Sequence, residues 1–180
     1  MSNETDNRPA ADGPAGARTT ADRMARFEDS LRSGTHLWTT LGYRRLAWDR
    51  GTTTIAWDAT AAYGFPTRSG TVIQGGLVTA LLDAAMGGAC WSVLDTDEAF
   101  LTADLRVEFL RSTRPGTVTA TGTVVRRTRR VVFCEATLSD EQGKVLAASR
   151  CTQVVLPADG TAGRYDAASS DGAPPEDARG

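Results

Sequence analysis

The stretch SGTVIQGGLVTALLDAAMGGACW, Ser69 to Trp91, decides the fold. From Gly75 to about Val93 the apolar residues Leu77, Val78, Leu81, Leu82, Ala85, Met86, Ala89 and Val93 recur at intervals of three and four, the spacing of a helix with one broad apolar stripe. At about 100° per residue, Asp83 falls on a flank of this helix together with Gly76, Thr79, Gly87 and Cys90. Aspartate is a mediocre former of helix interiors, and Gly76, Gly87 and Gly88 weaken the helix further. Local helix preference therefore did not select these residues. The pattern predicts a long buried helix with one thin side, where another backbone or a narrow ligand can approach closely.

Upstream, GYRRLAWDR and TTTIAWDAT are rich in aromatic and β-branched residues and meet at Gly51, which predicts a hairpin. AAYGFPTRSGT, punctuated by Gly64, Pro66 and Gly70, reads as an irregular crossing loop. Downstream, FLTADLRVEFLR, GTVTATGTVVRR, RVVFCEATLSD and KVLAASRCTQVVL alternate with period two and predict four strands separated by turn residues. Leu105, Val107 and Phe109 share one face of the first of these, and Asp104, Arg106 and Glu108 the other. The expected architecture is α+β: a curved six-stranded antiparallel sheet wrapped around one long central helix. One helix covers one face of such a sheet, and an open edge strand invites pairing, so a homodimer at least is expected.

Residues 1–20 and 157–180 carry few large apolar side chains and read as disordered tails around a single domain over 21–156. Within ADRMARFEDSLRS, the spacing of Met24, Phe27 and Leu31 predicts a short amphipathic helix on the domain's edge. Lys plus Arg number 20 and Asp plus Glu 22, so the balance advertises neither nucleic acid nor an anionic membrane. No run approaches about 18 apolar residues, and the N-terminus lacks the pattern of a secretory signal, which points to the cytoplasm. Cys90, Cys134 and Cys151 form no CxxC pair and are expected as small buried residues in a reducing compartment. The one histidine, His36, has no acidic or cysteine cluster beside it and reads as an edge residue, so neither a metal nor another cofactor is expected.

A carboxylate beside a cleft can serve as general base toward water or as nucleophile, and a helix start with unpaired amides can stabilise a developing oxyanion. Asp83 supplies the first feature and Gly75 with Gly76 the second, where the helix dipole adds partial positive charge. Together they describe acyl-transfer machinery without serine, histidine or metal. The same residues also fit a plainer account, in which the flank is solvated or the glycines serve tight packing and Asp83 bonds a neighbouring strand.

QGGLVTALLDAAMGGA, followed by LTADLRVEFLRSTRPG and VLAASRCTQVVLP, resembles the hotdog-fold acyl-CoA thioesterases. The likeness is to the phenylacetate-pathway subgroup, whose helix opens with His-Gly-Gly and carries Asp nine residues after that His. It spans roughly 41–156. The resemblance implies a hotdog fold, active sites at the interface of a homodimer, often within a homotetramer, and hydrolysis of a thioester of coenzyme A or of a carrier protein. It implies Asp83 as the catalytic carboxylate, Gly75 as the amide that polarises the thioester carbonyl, and Thr102 as a residue that helps place water. Thr102 is equally readable as an ordinary strand threonine.

The chain departs from that pattern twice. Gln74 stands where the subgroup has histidine; it can donate and accept hydrogen bonds but carries no proton at neutral pH. The subgroup's upstream asparagine has no counterpart, and Arg68 and Ser69 occupy that loop. A non-hydrolytic hotdog protein that binds an acyl thioester or a hydrophobic small molecule is therefore the second reading. A dehydratase, which generally needs a catalytic histidine, is a weaker third. Arg111, Arg114, Arg126, Arg127, Arg129 and Arg130 could meet coenzyme A phosphates or be solvated turn residues. Gly76 and Arg68 complete the candidate substrate-binding set, and Met86, Trp91, Phe65 and Tyr63 are candidates for shaping the acyl pocket.

Overall fold

A computed structural model describes Ala25, Phe27 and residues 36–158. Ala25 and Phe27 are helical, and the rest of the expected amphipathic helix, like both expected tails apart from 157–158, lies outside the described residues. The chain then forms α1 (Leu37–Leu41), the hairpin β1 (Arg44–Asp49) and β2 (Thr52–Ala59), and a single 3-10 turn at Ala61–Tyr63. There follow β3 (Gly64–Thr67), β4 (Gly70–Ile73), the long helix α2 (Gly75–Trp91), and β5 (Glu98–Phe109), β6 (Gly116–Arg127), β7 (Val131–Asp140) and β8 (Val145–Pro157).

The six-stranded sheet is ordered β1-β2-β6-β7-β8-β5, and every pairing is antiparallel. One expectation is corrected: the segment read as an irregular crossing loop forms the 3-10 turn and a small β3–β4 hairpin. Its glycines do not prevent pairing. Gly70, at φ 106, takes the left-handed turn position, and Gly64 lets the backbones close, since a Cβ there would overlap the Val72 carbonyl.

Helix α2 packs across one face of the sheet. Val78, Leu81, Leu82, Ala85, Met86 and Ala89 are buried as the stripe predicts, against Ile55, Trp57, Val118 and Leu138. Cys90, placed on the thin flank by its helical angle, is fully buried as well, whereas Gly76 is exposed and Thr79, Asp83 and Gly87 are partly exposed. The helix presses hard on the sheet at two glycines. A Cβ on Gly122 of β6 would enter the backbone of Ala85 and Met86, and one on Gly88 would lie 2.8 Å from Thr53 Oγ1. Trp48 Nε1 donates to the Gly88 carbonyl at 2.8 Å, tying β1 to the same turn of helix.

Three bulges change the inward phase of the strands beside the second half of α2. The register slips at Leu46 in β1, at Ala103 in β5 and at Val125 in β6. Leu46 and Val125 are consequently turned out and exposed, whereas Arg45, Trp48 and Arg127 pair with the inward residues Ile55, Thr53 and Val132. In β5 the inward set is Phe100 and Thr102 before the bulge, Leu105 and Val107 after it, and Leu101 is left 65% exposed.

The contact at Gly122 gives a direct test. Gly122→Ala is expected to lower stability by roughly 1–3 kcal/mol, the usual cost of overpacking a well-filled core. Urea unfolding followed by tryptophan fluorescence measures it, and Gly143→Ala, where nothing lies within 4 Å but φ is 77, is the comparison for backbone strain alone.

Candidate active site

Asp83 sits midway along α2, half-buried. Thr102 reaches it from the edge strand β5, its Oγ1 donating to Asp83 Oδ1 at 3.1 Å. An unbroken alternation through Leu105 and Val107 would have sent Thr102 to the opposite face; the bulge at Ala103 brings it to the helix. One carboxylate oxygen is thus fixed by a hydroxyl.

Asp83 borders a cavity of about 490 Å³ walled by Phe27, Trp38, Trp48, Trp91 and Phe100, with Ala84, Gly87 and Gly88 as its thin side on the helix. Gly87 keeps this space open, since a Cβ there would stand 3.3 Å from the Phe100 ring. Arg45 lies in the same wall, its guanidinium carbon 4.4 Å from the Trp48 ring centroid and 4.7 Å from that of Phe27. Arg45, Trp38 and Trp48 were not singled out in the sequence. For Arg45 and Trp48 the signal that could have found them is the single extra residue, Leu46, in an otherwise alternating strand; Trp38, on α1, carries no such signal. Trp91 lines the cavity as a pocket candidate should, whereas Met86 is wholly enclosed in the core and Tyr63 packs on Trp57 at 5.4 Å between ring centroids.

A second opening, also about 490 Å³, lies at the start of the helix, bordered by Phe65, Gln74, Gly75, Phe109 and Arg111. Gln74 is the N-cap and is exposed; its side chain makes no capping bond, and its carbonyl accepts from Leu77 N at 3.0 Å. The amides of Gly75 and Gly76 precede the first carbonyl that could bond them within the helix. A Cβ on Gly75 would lie 3.2 Å from the Phe109 ring, while Gly76 faces open space. Gly75 and Asp83 are separated by about 12 Å along the axis at 1.5 Å per residue, too far for both to touch one carbonyl within a chain.

The arginines are dispersed. Arg111 borders the Gln74 opening and donates to the Val145 carbonyl at 2.7 Å. Arg114 bonds the Ser69 carbonyl at 2.6 Å, and Arg68 is exposed on the β3–β4 turn. Arg126, Arg129 and Arg130 are exposed around the β6–β7 turn, whereas Arg127 turns inward to Asp95 and Glu98. The β6–β7 turn lies at the opposite end of the sheet from Arg111, so one chain does not bring the six together. His36 precedes α1 and its backbone is bonded by the Thr39 hydroxyl, the place of an edge residue.

The three cysteines are free and buried. Burial pushes the Cys90 thiol up to about 12. A hydrogen bond to Cys151, reinforced by burial, also raises Cys134. Among the described residues no group of His, Cys, Asp and Glu could hold a metal, and no helix is long and apolar enough to cross a membrane.

The thioesterase superfamily model matches residues 70–147, the span from β4 through α2 to the start of β8. A thioesterase family protein of Silicibacter pomeroyi is 23% identical with a TM-score of 0.66, the alignment covering 75% of this chain and 98% of that one. The E. coli PaaI protein of the phenylacetic acid degradation operon is 19% identical with a TM-score of 0.66, over 77% of this chain and 96% of its own. The chain has the hotdog fold. A thioesterase of Haemophilus influenzae is similar over 72% of this chain and 88% of its own, at 22% identity and a TM-score of 0.64. No curated protein matches the sequence. In the hotdog frame α2 is the central helix, and the two openings lie at its start and along its second half.

The enclosed thiols have a measurable consequence. At about pH 8, where an ordinary thiol of pKa near 8.5 already reacts readily, Cys90, Cys134 and Cys151 are expected to resist a chromogenic disulfide reagent in the native protein. All three should react at once in urea. Rapid labelling of the native protein would show that the core around Cys90 opens freely.

Proposed function

We propose that the protein is a thioesterase that hydrolyses an acyl thioester of coenzyme A or of a carrier protein, in sites shared by two chains. The observation that supports this most is the Thr102-held carboxylate of Asp83 at the side of an aromatic-walled cavity, on the same helix whose glycine-rich start leaves amides unbonded.

The two halves lie too far apart on one helix to meet, but β5 supplies a way to join them. It is an edge strand with Phe109 beside Gly75 and Thr102 beside Asp83. Antiparallel pairing of two copies of β5 centred between Leu105 and Arg106 sets Phe109 of one opposite the partner's Thr102, and so brings Gly75 of one chain toward the partner's Asp83. Pairing also satisfies the backbone groups of the edge and covers Leu101 and Phe109.

In this arrangement the acyl group enters the cavity walled by Trp48, Trp91 and Phe100, and the thioester oxygen points at the Gly75 amide. Asp83 takes a proton from water as the water oxygen attacks the carbonyl carbon. Negative charge gathers on the carbonyl oxygen, where the amide and the helix dipole stabilise it. Collapse of the adduct breaks the C–S bond, and the thiolate leaves to be protonated. Direct attack by Asp83, giving an anhydride that water then opens, needs the same groups. Gln74 lies beside Gly75 and can hydrogen-bond the carbonyl or the thiol, but it transfers no proton. Gly76 leaves room for the acyl thioester, and Arg111 is a cation that borders this opening. Arg68, Arg129 and Arg130 are further candidates for the coenzyme's phosphates.

Two experiments test the proposal. Asp83→Asn is expected to lower kcat by roughly 10²–10⁴-fold, the usual worth of a positioned base, on a panel of short, medium, long and aryl acyl-CoAs. If wild type and Asp83→Asn are equally inactive while an acyl-CoA still binds, the protein is a thioester-binding relative and not a hydrolase. Gly75→Pro removes the amide hydrogen at a helix position that tolerates proline. Mixed dimers of Asp83→Asn and Gly75→Pro chains should recover activity that neither parent has, and no recovery would place each site within one chain.

A further inference from the structure

Gln153, on β8, is fully buried, and its Oε1 and Nε2 find no nitrogen or oxygen partner among the described residues, only the thiol of Cys151, a weak acceptor. Burying an unbonded amide costs about 1–3 kcal/mol, while methionine, of similar length and volume, would fill the space without that cost. Packing therefore does not explain the residue. Its position offers another reason. Gln153 is the direct cross-strand partner of Thr102, on the inner face of the sheet, and the Thr102 hydroxyl is bonded to Asp83. Side chains so paired have Cβ atoms about 4.5–5.5 Å apart, within reach of an amide. Cys151, two residues away on the same face, is acted on by both the Asp83 carboxylate and the Gln153 amide, which places the two in one neighbourhood.

Resting on the thioesterase reading, we propose that Gln153 is a positioning residue for Asp83, acting through Thr102: in the loaded site its Nε2 donates to Thr102 Oγ1 and keeps the hydroxyl hydrogen on Asp83. A threonine hydroxyl has one hydrogen and two lone pairs. If the hydrogen turns away, the oxygen faces the carboxylate with no bond between them. An amide donor on the far side occupies the lone pairs and leaves Asp83 as the hydrogen's acceptor. Hydrogen bonds of this kind are commonly long in an empty site and shorten when substrate is bound.

The proposal predicts a combination that a merely structural glutamine would not produce. Gln153→Met should unfold at the wild-type temperature or higher, with kcat lowered roughly tenfold, the worth of one ordinary hydrogen bond, and KM unchanged. In a Thr102→Val background the same substitution should have no further effect on kcat, because its route to Asp83 is already cut. Wild-type kcat in Gln153→Met, a kcat loss that persists beside Thr102→Val, or a lower unfolding temperature with loss of activity in proportion would overturn it. If wild type and Asp83→Asn are equally inactive, the thioesterase reading fails and takes this role with it. If Asp83→Asn alone is inactive and Gln153→Met gives one of these contrary results, only the role of Gln153 fails.

Discussion

The close approach of helix α2 to the sheet is the constraint on which the other features depend. Gly122 admits the backbone of Ala85 and Met86, and Gly88 admits Thr53, so the helix lies lower than ordinary side chains would allow. At that height Trp48 reaches the Gly88 carbonyl and Thr102 reaches Asp83. Raised by the thickness of a methyl group, the helix would leave both bonds stretched. The glycines weaken α2 as an isolated helix, and the contacts they permit with β2 and β6 offset that loss.

The bulges provide a second layer of control. A strand with strict alternation can offer a helix only every second residue. Slipping the register at Leu46, Ala103 and Val125 turns Arg45 and Trp48, Thr102, and Arg127 inward without altering the strands' course elsewhere. The side chains so gained lie around the second half of α2, while a fourth slip, between Leu138 and Ser139 of β7, lies toward the other end of the sheet. Such local irregularity is typical of places where a sheet must aim a particular side chain.

This explains what could be read from the residues and what could not. The central helix was legible because its stripe is long and its period unmistakable, and the four downstream strands because alternation and turn residues agreed. Asp83 and the glycines stood out by opposing local helix preference. The β3–β4 hairpin was hidden because its glycines and proline are the residues of loops, and only their pairing reveals two four-residue strands. Arg45, Trp48 and Gln153 were hidden for a different reason. Their directions depend on bulges or on cross-strand neighbours distant in sequence, and propensity carries no record of either.

The spacing along α2 also bears on why one chain should not suffice. Gly75 and Asp83 are about 12 Å apart at 1.5 Å per residue, whereas a carbonyl carbon and its oxygen are separated by about 1.2 Å. No bending of a packed helix removes that difference, so the amide and the carboxylate act on one thioester only if a second copy of the helix supplies one of them. The exposed edge of β5, ending at Phe109 near one group and passing Thr102 at the other, carries the distance between them as a strand register. In the proposed dimer, association through that edge and assembly of the site are the same event, and a substitution that breaks the pairing of β5 is expected to remove activity without touching either group.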